Sequence, residues 1–178
     1  MKVKFLDKKI IFVLALLILV FVPAFLSSFI LFSSPEKAFY FLTNKCTLVK
    51  RIDGDTTTLL IGEESDGTQN LTLLLRQSEK WRLLLAQPIP SYFQISICDQ
   101  VVSGAVINET KSNGFYIYMS VPIGIDEILD SENSTFEKFD YNNNYLKTLN
   151  YNCVAYVKET PSDYRLYLNG NHYEIEFE

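Results

Sequence analysis

Asp53 and Asp55 flank a single glycine, and with Glu63, Glu64 and Asp66 they form an acidic group on neighbouring turns. Hard cations take several oxygens from a loop, so Asp53 and Asp55 are the foremost metal ligands the chain offers. EF-hand spacing is absent, and Asp-Gly is also favoured hairpin chemistry. Cys46, Cys98 and Cys153 each sit in an apolar, strand-like run. Two of them can form a disulfide with one thiol spare, in any of three pairings, or all three can be buried thiols. Their spacing is unlike a zinc site, which needs closely paired ligands. The single histidine, His172, rules out a histidine-built metal cage and leaves any Ser-His or Cys-His pair resting on one residue. His172 alternates with Glu174, Glu176 and Glu178 on a polar face, where carboxylates favour imidazolium, so it is the chain's pH-sensitive candidate. There is no Gly-x-Ser-x-Gly elbow. No catalytic residue and no cofactor are expected.

The run Thr47-Leu48-Val49-Lys50-Arg51-Ile52-Asp53-Gly54-Asp55-Thr56 resembles the opening of staphylococcal-nuclease-like domains. There a strand runs into an Asp-Gly-Asp-Thr turn whose second aspartate holds calcium. Arg82-Leu83-Leu84-Leu85 resembles that family's Arg-Leu strand, whose arginine contacts the scissile phosphate. The resemblance implies an OB-type barrel with Asp55 toward calcium and Arg82 toward phosphate. Gln87 and Pro90 stand where the family carries a further calcium-binding aspartate and a general-base glutamate, and the segment between turn and arginine is longer. Without those carboxylates the chain has little means to hold calcium or position water. A degenerate or calcium-dependent nuclease-like OB domain is therefore the alternative reading.

What must position these residues begins with Ile10–Phe32, 23 residues without a charge. As a helix they would span roughly 34 Å, enough for a hydrocarbon core of about 30 Å. Lys2, Lys4, Lys8 and Lys9 precede the run, opposed only by Asp7, which places the N-terminus in the cytoplasm. The expected organisation is a basic cytoplasmic tail (1–9), a transmembrane signal-anchor helix (10–32), a juxtamembrane segment (33–44) and an extracytoplasmic β-rich domain (45–178), tethered to the cell (inner) membrane. The rival is a signal peptide cut after Val22-Pro23-Ala24, giving a secreted binding protein. Ser34-Pro35-Glu36 has the order of an N-cap, a first-turn proline and an acidic first turn, predicting a short helix through Leu42.

Removing residues 1–32 takes four lysines and one aspartate from the chain's 16 basic and 21 acidic residues, leaving 12 and 20 and a net charge of −8. Such a surface repels phosphate backbones, so no nucleic-acid partner is expected. The body holds all eleven tyrosines and reads as short strands: Cys46–Ile52, Thr56–Ile61, Asn70–Leu75, Trp81–Leu85, Phe93–Cys98, Val101–Ile107 and Phe115–Val121. Phe115, Ile117, Met119 and Val121 alternate with Tyr116, Tyr118 and Ser120, as in a strand with one buried face. Asn169-Gly170 predicts a two-residue hairpin that pairs Leu166 with Tyr173 and Arg165 with Glu174. Cys153–Val157 is expected to supply that hairpin's third strand. Ser134–Leu149 has capping-box spacing and a Phe136, Phe139, Leu146, Leu149 stripe, which predicts one amphipathic helix. The acidic stretch Asp126–Glu132 is expected to be a solvated face.

The expected fold is mainly β with a minor α part: a transmembrane helix followed by an antiparallel β-barrel-like or strongly curved sheet. The expected function is a non-enzymatic sensor, binding or partner-stabilising module with a membrane-protein partner and a small apolar ligand as possible occupants. This layout is similar to accessory subunits of membrane-bound transcription regulators, in which a lipocalin-like barrel forms with the partner's periplasmic segment. A nine-residue tail is too short to signal alone, which favours a partner.

Overall fold

The computed structural model describes Val13 and residues 30–43, 45–84, 87–97, 99–108, 114–140, 150–159 and 163–175. No helix among them is long and apolar enough to cross a membrane. Residues 1–12 and 14–29, on which the anchor reading falls, lie outside the described residues. The far end of that reading needs correction. Leu31–Phe32 form a two-residue strand, β1, opposite Arg82 and Trp81 rather than the last turn of a spanning helix. Helix α1, Pro35–Leu42, then starts afresh. Ser34 caps it in extended backbone, its Oγ accepting from the Lys37 amide at 3.3 Å, with Pro35 in the first turn. The Thr43 amide closes the last turn onto the Phe39 carbonyl at 2.8 Å.

Three antiparallel sheets follow. The first has the order β1-β5-β4-β3-β2, from β2 (Thr47–Asp53), β3 (Thr57–Glu63), β4 (Gln69–Gln77) and β5 (Lys80–Leu83). The second has the order β10-β11-β8-β7-β6, from β6 (Ser91–Ile97), β7 (Gln100–Asn108), β8 (Phe115–Pro122), β10 (Glu137–Phe139) and β11 (Asn150–Val157). The third joins β9 (Ile128–Asp130) to the hairpin of β12 (Arg165–Leu168) and β13 (Asn171–Glu174) in the order β13-β12-β9.

Helix and sheets stack as four layers with three apolar interfaces. Between α1 and the first sheet lie Ala38, Phe39, Cys46, Leu60, Leu74 and Leu83. Between the first and second sheets lie Ile52, Leu59, Ile61, Leu73, Ile107, Tyr116, Tyr118 and Val154. Between the second and third lie Phe115, Ile117, Met119, Val121, Cys153, Leu166 and Leu168, among others. Period-two alternation is kept along β8, yet both of its faces are covered: Tyr116 is fully buried on one side and Ile117 on the other. That overturns the one-buried-face expectation. It also explains why, among the described residues, none of the sheets closes into a barrel. A sheet apolar on both sides is satisfied by a layer above and a layer below, with no lumen to wrap.

Two further expectations are corrected. Glu137–Phe139 is a strand beside β11 rather than part of a helix; residues 141–149 lie outside the described residues. Phe136 packs into the interface of the second and third sheets, and Phe139 into that of the first and second. Residues three apart share a helix face but lie on opposite faces of a strand, so only extended backbone serves both cores. The hairpin's third strand is β9, not Cys153–Val157, which sits one layer away in the second sheet. The hairpin itself has the expected register, Arg165 opposite Glu174 and Leu166 opposite Tyr173, with φ of 47° at Asn169 and 78° at Gly170.

Candidate functional site

Asp53 ends β2 on the side of the first sheet that faces α1. Its carboxylate lies in the fork of Arg51, with Nε at 3.1 Å from Oδ1 and Nη2 at 2.9 Å from Oδ2. Thr58 donates to Oδ1 at 2.7 Å, and the Trp81 indole donates to Thr58 at 3.0 Å. Arg51 also bonds Glu36 of α1 at 3.2 Å and lies over the Trp81 ring, 5.4 Å from its centroid. Burial works to lower the Arg51 pKa, but Asp53 and Glu36 outweigh it and raise it. For Glu36 burial works upward, and the bonds from its own backbone and Ser34, with Arg51, outweigh it and hold the carboxyl below its usual range. The network ties α1 to the first sheet at its open edge.

Asp55 turns the other way, its carboxylate 3.8 Å from the Lys158 ammonium. Between the two aspartates, Gly54 lies against Tyr116 and Tyr156, whose ring centroids are 5.0 Å apart. A Cβ there would meet the Tyr116 hydroxyl and come within 2.8 Å of the Tyr156 ring. The Tyr116 hydroxyl also shares a hydrogen bond of 2.8 Å with Thr57. So the Asp-Gly-Asp turn divides its carboxylates between two sides and presents its glycine to the core. Among the described residues, no three His, Cys, Asp or Glu side chains are grouped as a metal would require.

Arg82 is not near this turn. Asp53, Thr58, Leu74 and Leu83 form one cross-strand row, so Arg82 lies three strands away and one residue off that row, on the opposite face. Gln87 takes the place of a ladder strand: its Oε1 accepts from the Leu73 amide at 2.7 Å and its Nε2 donates to the Leu73 carbonyl at 3.1 Å. The nuclease-like residues are thus not brought together.

Cys46 and Cys153 are both buried and free. They lie in different interfaces, Cys46 between α1 and the first sheet, Cys153 between the second and third. Stacked sheets stand about 10 Å apart, beyond the Cα separation of about 4.4–6.8 Å that a disulfide spans. Cys98 lies outside the described residues. Burial pushes the Cys153 thiol up to about 12, and burial with the Glu64 carboxylate 3.8 Å away raises that of Cys46. Both are packing residues with little thiolate character. His172 is exposed in β13 opposite Tyr167, its ring 6.4 Å from the tyrosine's, and borders an open hollow with Gln94, Ser96 and Glu174.

Asp130, expected to be solvated, is buried at the end of β9. It accepts from the Tyr164 hydroxyl at 2.9 Å and the Ser134 amide at 2.7 Å. That second bond holds Ser134 in a loop in place of the expected helix cap.

Two further exposed surfaces were not singled out from sequence: an uncharged strand edge and an apolar helix side. Strand β6 ends the second sheet and pairs only with β7 among the described residues. From Ser91 to Ile97 it contains no charge and no proline. Tyr92 is 79% exposed, and Ile89 just before it is 90% exposed. Beside Tyr92 lies a groove of about 260 Å³ lined by Gln69, Asn70, Leu71, Pro88, Pro90 and Tyr118, slightly under the roughly 300–1,000 Å³ of small-molecule sites. A second surface is the outer side of α1, where Tyr40, Phe41 and Leu42 are exposed, as is Ile30 ahead of the Phe32 that packs on Phe41. The readable signal for β6 was its lack of charge between prolines and a turn; its position at a sheet edge was not readable. No family model matches this chain, and no curated protein or solved structure matches it.

Proposed function

We propose that the chain is a single-pass, membrane-anchored extracytoplasmic β-domain that acts as a non-enzymatic binding module for a protein partner at the cell membrane. The observation that carries the reading is the β6 edge. Seven residues of extended backbone have one flank unpaired among the described residues, free of the lysines, prolines and inward charges that usually blunt such edges. Strand addition there would take its affinity from main-chain hydrogen bonds and its specificity from alternate side-chain sites. Tyr92 and Ile89 supply exposed apolar anchors of the kind found at the centres of interfaces. The groove beside Tyr92 suits a partner side chain better than a buried small ligand. Anchoring itself is supported by the uncharged run Ile10–Phe32 and the lysines before it.

The test is the mass of the full-length chain extracted from its own membranes in mild detergent. The wild type should run in a complex heavier than chain plus micelle, and the pair Gln94→Lys and Ser96→Lys, both exposed on β6, should return it to the single-chain mass. Equal masses for the two proteins would end the strand-addition reading.

A further inference from the structure

The outer side of α1 needs a cover. The helix buries Pro35, Ala38 and Phe39 against the first sheet, yet its last five residues, Ala38-Phe39-Tyr40-Phe41-Leu42, are all apolar or aromatic. A helix apolar all round is not a water-facing element. Phe41 packs on Phe32 of β1, their centroids 5.4 Å apart, and Ile30, two residues before Phe32, is exposed like Tyr40, Phe41 and Leu42; Leu31, opposite Arg82, lies on the sheet's other face. Ile30 belongs to the uncharged run Ile10–Phe32, so a run long enough to span a bilayer is covalently joined to the domain at this patch.

We propose that Ile30, Tyr40, Phe41 and Leu42 seat the domain on the outer face of the bilayer, with α1 lying at the level of the headgroups. The inference rests on the membrane-anchored reading and adds an orientation to it. Aromatic side chains are enriched at this depth, and an apolar face buried a few ångströms into the headgroup boundary is the interfacial-helix arrangement. Lys37 in the first turn of the helix and Lys45 just beyond its end, both exposed, supply positive charge on a body whose net charge is negative. Glu36 on the same helix is occupied by Arg51. A second copy of the chain is a poorer occupant, since each body carries a net charge of −8 once residues 1–32 are set aside.

The experiment reconstitutes the full chain into phosphatidylcholine vesicles whose acyl chains carry bromine near the headgroup end. Fluorescence quenching is compared among Phe41→Trp, Leu42→Trp and Leu129→Trp, each keeping the native Trp81. Leu129 is exposed in β9, in the layer farthest from α1. Phe41→Trp and Leu42→Trp should be quenched several-fold more than Leu129→Trp, and either one suffices if the other misfolds. Chains that float with the vesicles but show equal quenching at all three sites would overturn the seating while leaving the anchor intact. Equal quenching with the mass of a dimer would overturn it in favour of a second copy. Chains that fail to float would overturn both readings together.

Discussion

Between Asp53 and Asp55 the backbone passes against two tyrosine rings, and Gly54 is there because nothing larger fits. Gly54→Ala should cost about 1–3 kcal/mol, the range for overpacking a filled core, read as a lower urea midpoint of the full chain in micelles; an unchanged midpoint would mean the rings move aside freely. With Asp53 held by Arg51 and Thr58, millimolar calcium should leave the melting temperature of the same sample unchanged. A calcium-induced rise abolished by Asp55→Asn would instead favour the nuclease-like site. Cys153, Tyr151 and Tyr164 share an alkaline signature. Burial raises all three: Cys153 from 9.0 to about 12, Tyr151 from 10.0 to about 12, and Tyr164 further, with help from Asp130. Each folded group holds its proton where the unfolded chain releases it. Their contribution is therefore complete below about pH 9 and lost as pH rises toward the folded values. Above pH 9 stability should fall by about 1.4 kcal/mol per pH unit for each group released in the unfolded chain alone, and Cys153→Ala should make the fall shallower between pH 9 and 10. Aspartates illustrate what was legible at this scale. The Asp53 turn could be read locally, but Asp130 could not, because its acidic neighbours signal solvent and its partner Tyr164 is 34 residues away.

At the level of elements, local chemistry decides some structures and distant packing others. The hairpin at Asn169-Gly170 was readable because turn geometry and side-chain pairing demand the same register. Its glycine has φ of 78° with open space around the position of a Cβ, so Gly170→Ala should cost only the left-handed backbone penalty, about 1–2 kcal/mol. A thermal melt showing no loss would place the hairpin outside the cooperative unit. The α1 cap was legible for the same reason: Ser34, Pro35 and Glu36 act within one turn. The predicted helix from Ser134 failed because its two best signals had other owners. Ser134 is held by Asp130, and Phe136 and Phe139 enter different cores.

For the whole molecule, stacking rather than closure follows from a middle sheet that is apolar on both faces. In sequence, Tyr116 and Tyr118 looked like a polar side of β8. Their rings instead fill the space against the first sheet, and Tyr118 delivers its hydroxyl to Asn152 at 3.0 Å. A tyrosine alternation can be read as either surface or core, and only the layer above decides. Stacked open sheets leave edges where a barrel would leave none, and the uncharged β6 edge is the feature on which the proposed binding role depends. The most direct measurement places a photo-activatable phenylalanine analogue at Tyr92 in the full chain, in intact membranes of the source cell. The account predicts one discrete adduct that disappears with Gln94→Lys and Ser96→Lys and is absent when the analogue replaces Leu129. The same adducts from both positions, or none from Tyr92, would contradict it.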